Sequence, residues 1–251
     1  SFVGKNAILR GIAIEGSYIR ISGLEITGSI SHGIIAANKN IVIENNKVHH
    51  GVTENGSGPS CGEGEEEVSW GSGIKVERGA ENIKIINNKV FNNCGEGIAI
   101  TMGNNVEVIK NVISDNYSVN IYIDNSSFVT VDENKINCTG QGYLRDNKPA
   151  IGIVIGEEEY PGWGARRRDT SIVNNIVDGC YEGIASWPPE GENGIEKNLT
   201  LTGNTIVNEI HLSIALNWLN ENVLIEKNYI EADMYIKYPD GVIIKENTYI
   251  T

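Results

Sequence analysis

Gly97-Ile98-Ala99-Ile100-Thr101, Val106-Glu107-Val108-Ile109 and Asn111-Val112-Ile113 follow one another within residues 97–113. Apolar residues alternate with variable ones, so Ile98 and Ile100 point one way and Ala99 and Thr101 the other. No helical period fits. The closing phrase, an Asn, one free residue, then Val or Ile, returns at Asn46, Asn88, Asn134, Asn175, Asn204 and Asn228. The opening phrase returns at Gly73-Ile74-Lys75-Val76, Asn120-Ile121-Tyr122-Ile123, Gly152-Ile153-Val154-Ile155, Gly183-Ile184-Ala185-Ser186 and Ser213-Ile214-Ala215-Leu216. The tightest Asn spacings, Asn88 to Asn111 to Asn134, set a period of about 23 residues. Such a period marks stacked repeats, each burying its apolar face on its neighbours.

Three strands of about five residues per unit cannot form hairpins, because no Asn-Gly or Asp-Gly turns sit between them at hairpin spacing. The consistent solution is a coil in which each unit makes one turn and each strand pairs in parallel with its copy above. Turns then stack at about 4.8 Å. The repeated Asn is expected to stack at one inner corner, bonding to the next Asn and to backbone left free by the bend.

With its Asn ladder and Gly-Ile-x-Ile strand, the chain resembles the right-handed parallel β-helix superfamily typified by pectate lyase, over nearly its whole length. The resemblance implies an all-β, single-stranded, right-handed parallel β-helix of about nine turns, residues 1–251 forming one domain. The strand signal already present from Ser1 suggests a mature or trimmed piece of something longer.

A net charge of -13 argues against nucleic acid, whose phosphates need basic stripes. The chain contains no stretch of about 20 apolar residues, so no membrane span is expected. A monomer is expected, since no apolar flank of the kind that builds trimeric spikes is visible. Cys61 and Cys94, and likewise Cys138 and Cys180, fall at equivalent corners of neighbouring turns. Each pair can form a disulfide in an oxidising compartment or remain as buried thiols.

Interruptions of a solenoid map function, because the stack tolerates loops only at its corners. Asn spacing jumps to 42 between Asn46 and Asn88, to 41 between Asn134 and Asn175, and to 29 between Asn175 and Asn204. All of these loops border the strand stack that contains Lys75, Ala99 and Tyr122. That stack becomes the floor of a groove and the loops its walls. In the superfamily the chain resembles, polysaccharides lie in this groove. Trp70, Tyr143, Tyr160, Trp163 and Trp187 are concentrated in the walls, where aromatic faces can stack on sugar rings.

Alternation points Lys75, Glu77, Asn120, Tyr122 and Asp124 outward on neighbouring turns. Glu77 and Asp124 sit two turns apart, suited to a carboxylate pair of the inverting-glycosidase kind. A lyase needs instead a base for a C5 proton and an acid for the leaving oxygen. Lys75 and Tyr122 suit those roles, with His49, His50 or Arg145 reaching from the walls. Glu65, Glu66 and Glu67 offer oxygen ligands for Ca²⁺, though a solvated charge run is the plainer reading. Glu157–Glu159 face the simpler alternative of pairing with Arg166–Arg168 of the same loop.

The Gly-His-Gly of polygalacturonases, the Asp-Pro-His-Asp of mannuronan epimerases and the groove arginines of pectate lyases are all absent. The expected function is a secreted or cell-surface protein that cleaves a polysaccharide or oligosaccharide, as a lyase on a uronate-containing glycan or as a glycoside hydrolase. The alternative is a non-catalytic carbohydrate-binding or surface module using the same groove.

Overall fold

The computed structural model describes residues 2–55, 57–58, 60–63, 70–140, 142–158, 168–187 and 194–250. Short strands, two or three to a turn, build two large sheets. One sheet has nine strands, among them Ser72–Val76, Glu96–Thr101, Val119–Asp124, Ile151–Gly156, Glu182–Trp187 and Leu212–Leu216. The other, of eighteen strands, bends around the far side. Every pairing within the two sheets is parallel; among the described strands only the two-residue pair Ser57–Gly58 and Gly62–Glu63 is antiparallel.

Register explains the core. Ile98 pairs with Ile121, Ile121 with Ile153, Ile153 with Ile184 and Ile184 with Ile214, and all five side chains are fully buried. Each such Ile contributes about 1.5–3 kcal/mol of transfer free energy. The same inward side of the other sheet buries Ile83, Val106, Val129 and Ile172.

The Asn ladder closes one corner as expected. The backbone N–H and Nδ2 of Asn88 both donate to Asn111 Oδ1, at 2.8 and 3.0 Å. Asn111 Nδ2 in turn donates to the Ile85 carbonyl at 2.9 Å. The pattern repeats through Asn134, Asn175, Asn204, Asn228 and Asn247. A second, shorter ladder was not anticipated. Asn93 donates to Asn116, and Asn116 to Asn120, at 2.9 and 2.8 Å. Asn120 is therefore a buried corner residue rather than an outward floor residue.

Four floor strands carry a glycine near their start, Gly73, Gly97, Gly152 and Gly183, where stacking is close. A Cβ at Gly97 would lie 2.5 Å from the Asn120 carbonyl, and one at Gly152 would lie 2.5 Å from that of Gly183. Both cysteine pairs are disulfides, Cys61–Cys94 and Cys138–Cys180. They pin the loops that leave the stack to the turns beside them. No helix among the described residues is long and apolar enough to cross a membrane.

Candidate active-site cleft

Outward side chains of the nine-stranded sheet form one column: Lys75, Ala99, Tyr122, Val154, Ala185, Ala215 and Tyr235, paired residue to residue. Smaller residues separate the three large ones, and a cleft of about 430 Å³ opens over Tyr122 and Val154. Trp70 and Trp187 stand at its walls, 40% and 39% exposed, with Arg145, Lys148, Glu96 and Glu158 also lining it.

The cationic rim is built by a tight turn. Arg145 and Lys148 exchange backbone hydrogen bonds of 3.0 and 2.9 Å, which brings both side chains to one edge. The Arg145 guanidinium lies 4.6 Å over the Trp70 ring, and Trp70 stacks on Tyr117. Lys148 Nζ sits 4.3 Å over the Tyr181 ring and donates to its hydroxyl at 3.1 Å. Each cation is held on an aromatic face in the cleft lining.

Sequence reasoning missed the carboxyl at the foot of the cleft. Glu96 is 7% exposed and accepts the Ser72 hydroxyl at 2.7 Å. Burial pushes its pKa up to about 7, against the opposing pull of Lys75 and the Ser72 bond, with Glu158 and Asp124 adding to the rise. A carboxyl that titrates near neutrality can both give and take a proton at working pH. It was overlooked because Glu96 precedes the glycine where the strand pattern starts. A lone acid between Gly95 and Gly97 was the available signal.

Tyr122 is buried, and its hydroxyl donates to Glu158 Oε1 at 2.8 Å. Burial, then the charges of Asp124 and Glu158, hold the phenol well above its usual range. Tyr122 therefore stays protonated across the neutral range. Lys75 is half-buried, with Nζ donating to Thr101 Oγ1 at 2.7 Å. His32 accepts the Ser72 N–H on Nδ1 at 3.0 Å, which places any ring proton on Nε2. Burial, and next the Lys75 charge, hold its pKa below the usual value, against the pull of Glu77.

The carboxylates paired in the sequence reading do not both face the cleft. Asp124 is fully buried, and its Oδ1 accepts from Asn125 Nδ2 at 3.0 Å and from the Glu158 N–H at 3.1 Å. It anchors the segment after Gly156 over the floor. Glu77 is half-buried at the end of its strand, beside His32, and does not line the cleft.

The wall residues divide. Trp70, Arg145 and Trp187 line the cleft. His49 bonds Glu25 at 2.9 Å and stacks on Phe91, on the eighteen-stranded sheet and outside the cleft lining. His50 contacts His49 and Tyr143 there. Tyr143 is buried against Val52 and the Cys61–Cys94 bridge, so it anchors its loop. Tyr160, Trp163, Glu65, Glu66 and Glu67 lie outside the described residues. Among the described residues, no group of three or more His, Cys, Asp or Glu side chains is placed to hold a metal ion. Glu157 does meet Arg168, 3.5 Å apart and both buried, as the simpler alternative had it.

Comparison with solved structures finds the same architecture. The chain is similar to the A-module of the Azotobacter vinelandii mannuronan C-5 epimerase AlgE6, at 17% identity and TM-score 0.56, over 99% of this chain and 56% of that one. It is similar to the Streptococcus pneumoniae surface protein and adhesin PfbA, at 14% identity and TM-score 0.56, over 92% of this chain and 66% of that one. It is also similar to the catalytic unit of the GH87 alpha-1,3-glucanase of Streptomyces thermodiastaticus strain HF3-3, at 17% identity and TM-score 0.53, over 92% and 48%. The chain thus spans about half to two thirds of the length of these structures. At such identities the likeness establishes the fold. No curated protein sequence matches the chain. Residues 10–187 match the family described as right-handed β-helix region, and the chain belongs to that family.

Proposed function

We propose that the cleft over the nine-stranded sheet binds a polysaccharide and cleaves it, as a lyase on a uronate-containing glycan or as a glycoside hydrolase. The observation that carries this reading is Glu96, a buried carboxyl with a pKa near 7 in a cleft it shares with the proton donor Tyr122 and two exposed tryptophans. In elimination, Glu96 takes the C5 proton, the C5 electron pair forms the C4–C5 double bond, the C4–O4 bond breaks and Tyr122 protonates the departing oxygen. Arg145 and Lys148 on the rim offset the sugar carboxylate in an otherwise acidic protein. In hydrolysis, Glu96 protonates the leaving oxygen and Glu158 is the second carboxylate. Lys75 lowers the proton affinity of Glu96 in either case. A polysaccharide epimerase and a glucanase among the similar folds support a carbohydrate ligand in this groove.

Ca²⁺ at Glu65, Glu66 and Glu67 belongs to the same proposal, and no step above runs through it. The two disulfides favour an oxidising compartment, hence a secreted or cell-surface location.

One observation favours a second reading, a non-catalytic glycan-binding surface module. Lys75 and Tyr122 each already bond a protein partner, and the fold is shared with an adhesin. A panel of polysaccharides assayed for unsaturated uronate absorbance and for reducing ends, with and without chelator, separates the readings. Absorbance marks a lyase and reducing ends without it a hydrolase. Retained binding with neither signal rejects the enzyme.

A further inference from the structure

Beyond the cleft, the floor continues as a second trough of about 550 Å³. It shares Val154, Tyr181 and Trp187 with the cleft, so the two form one groove along the helix axis. From Tyr122 through Val154, Ala185 and Ala215 to Tyr235 is four strand steps, about 19 Å at about 4.8 Å each. The chemistry changes along that length. Among the described residues lining the trough, the acidic and basic side chains are Glu182 and His211, and they bond each other at 2.8 Å. Ala185 and Ala215 are buried beneath it, which leaves a shallow bed. Around the bed stand Trp187, Tyr235 at 47% exposure, and Tyr181 stacked on His211 at 5.3 Å.

We infer that this trough is a neutral-sugar subsite, taking the C–H faces of uncharged pyranose rings on the same chain whose reacting bond lies over Glu96. The inference rests on the proposed groove and deepens it. Among the described residues, the charged groups a carboxylated sugar would meet there are the paired Glu182 and His211, whereas one at the cleft meets Arg145 and Lys148. Aromatic faces bind apolar sugar faces by area and stacking, which need no charge. The ligand is then an oligosaccharide in which uncharged residues extend to one side of the reacting unit.

Calorimetric titration with cellohexaose, mannohexaose, xylohexaose and hexagalacturonate tests the inference, on wild type, Tyr235→Ala, Trp187→Ala and Lys84→Ala, each checked for an unchanged melting temperature. Binding of at least one neutral hexasaccharide is expected, weakened about tenfold by each aromatic truncation and unchanged in Lys84→Ala, on the other sheet. Binding of the uronate alone, binding of none of the four, or wild-type affinity in both aromatic variants overturns it. Neutral binding without any cleavage rejects the enzymatic reading and leaves the subsite standing.

Discussion

Tyr122 of the floor and Glu158 of the wall meet at 2.8 Å, phenol donating to carboxylate. The contact is pinned from three sides. Asp124 accepts the Glu158 N–H, Asn125 Nδ2 donates to the Glu158 carbonyl at 2.7 Å, and Gly156 lies under the Tyr122 ring. This latch folds the chain after the floor strand back over the preceding turn and sets one side of the cleft.

Gly156 is the point at which the latch can be moved without replacing a reacting group. A Cβ there would lie 2.5 Å from Tyr122 Oη and 2.7 Å from its ring carbons. Gly156→Ala should therefore displace Tyr122 by up to about 1 Å and lower turnover about 10²-fold. Stability should fall by about 1–3 kcal/mol. Turnover and melting temperature measured together check this, and wild-type turnover would refute the positioning role.

Glu196 tests the electrostatics away from the cleft. It is buried, accepts the Ser186 hydroxyl at 2.9 Å, and burial raises its pKa to about 7 despite Arg168. A carboxyl with a raised folded pKa costs nothing below its unfolded pKa of about 4.5, and its cost grows until pH 7. Glu196→Gln should match wild type at pH 4 and be more stable by on the order of 3 kcal/mol at pH 8. Melting curves across that range should show the gap opening between pH 4.5 and 7; a constant gap would contradict the assignment.

The inner ladder predicts a large local cost. Asn111→Ala removes the acceptor for two Asn88 donors and the donor to the Ile85 carbonyl, all buried. At about 1–3 kcal/mol for each orphaned group, the total is several kcal/mol. Lys84→Ala, which removes an exposed pair with Glu107, should cost about 0.5 kcal/mol or less. Urea unfolding of the two variants checks the contrast, and comparable losses would sink it.

This ladder was the part most legible in the sequence, because the bend demands the same side chain at every turn. The alternation that points Ile98 inward and the Tyr122 column outward was equally readable. Errors arose where a loop or corner intervened. Asn120 follows the strand pattern yet turns inward to Asn116. Asp124 points outward by register, but the segment after Gly156 folds back and buries it. Tyr143 and the His49–His50 pair lie in or beside insertions whose direction no local pattern encodes. Glu96 gained its importance from burial beside Ser72, a long-range effect of stacking.

The Cys138–Cys180 bridge closes a 42-residue separation. Chain entropy for a loop of that size corresponds to about 4 kcal/mol. Cys138→Ser/Cys180→Ser should lose about 2–4 kcal/mol in urea unfolding, and reductant, which opens both bridges, should lower the wild type by at least as much. Indifference to reductant would show that the bridge does not form in solution.

The central claim is that Glu96 transfers the proton in the cleft. Glu96→Gln keeps the shape and the Ser72 contact but removes the titration near pH 7. Its most direct test is the rate of product formation by Glu96→Gln relative to wild type, on whichever polysaccharide the panel shows wild type to cleave, with binding measured on the same samples. The account predicts a loss of about 10²–10⁴-fold in rate with binding unchanged; wild-type rate in the variant would contradict it.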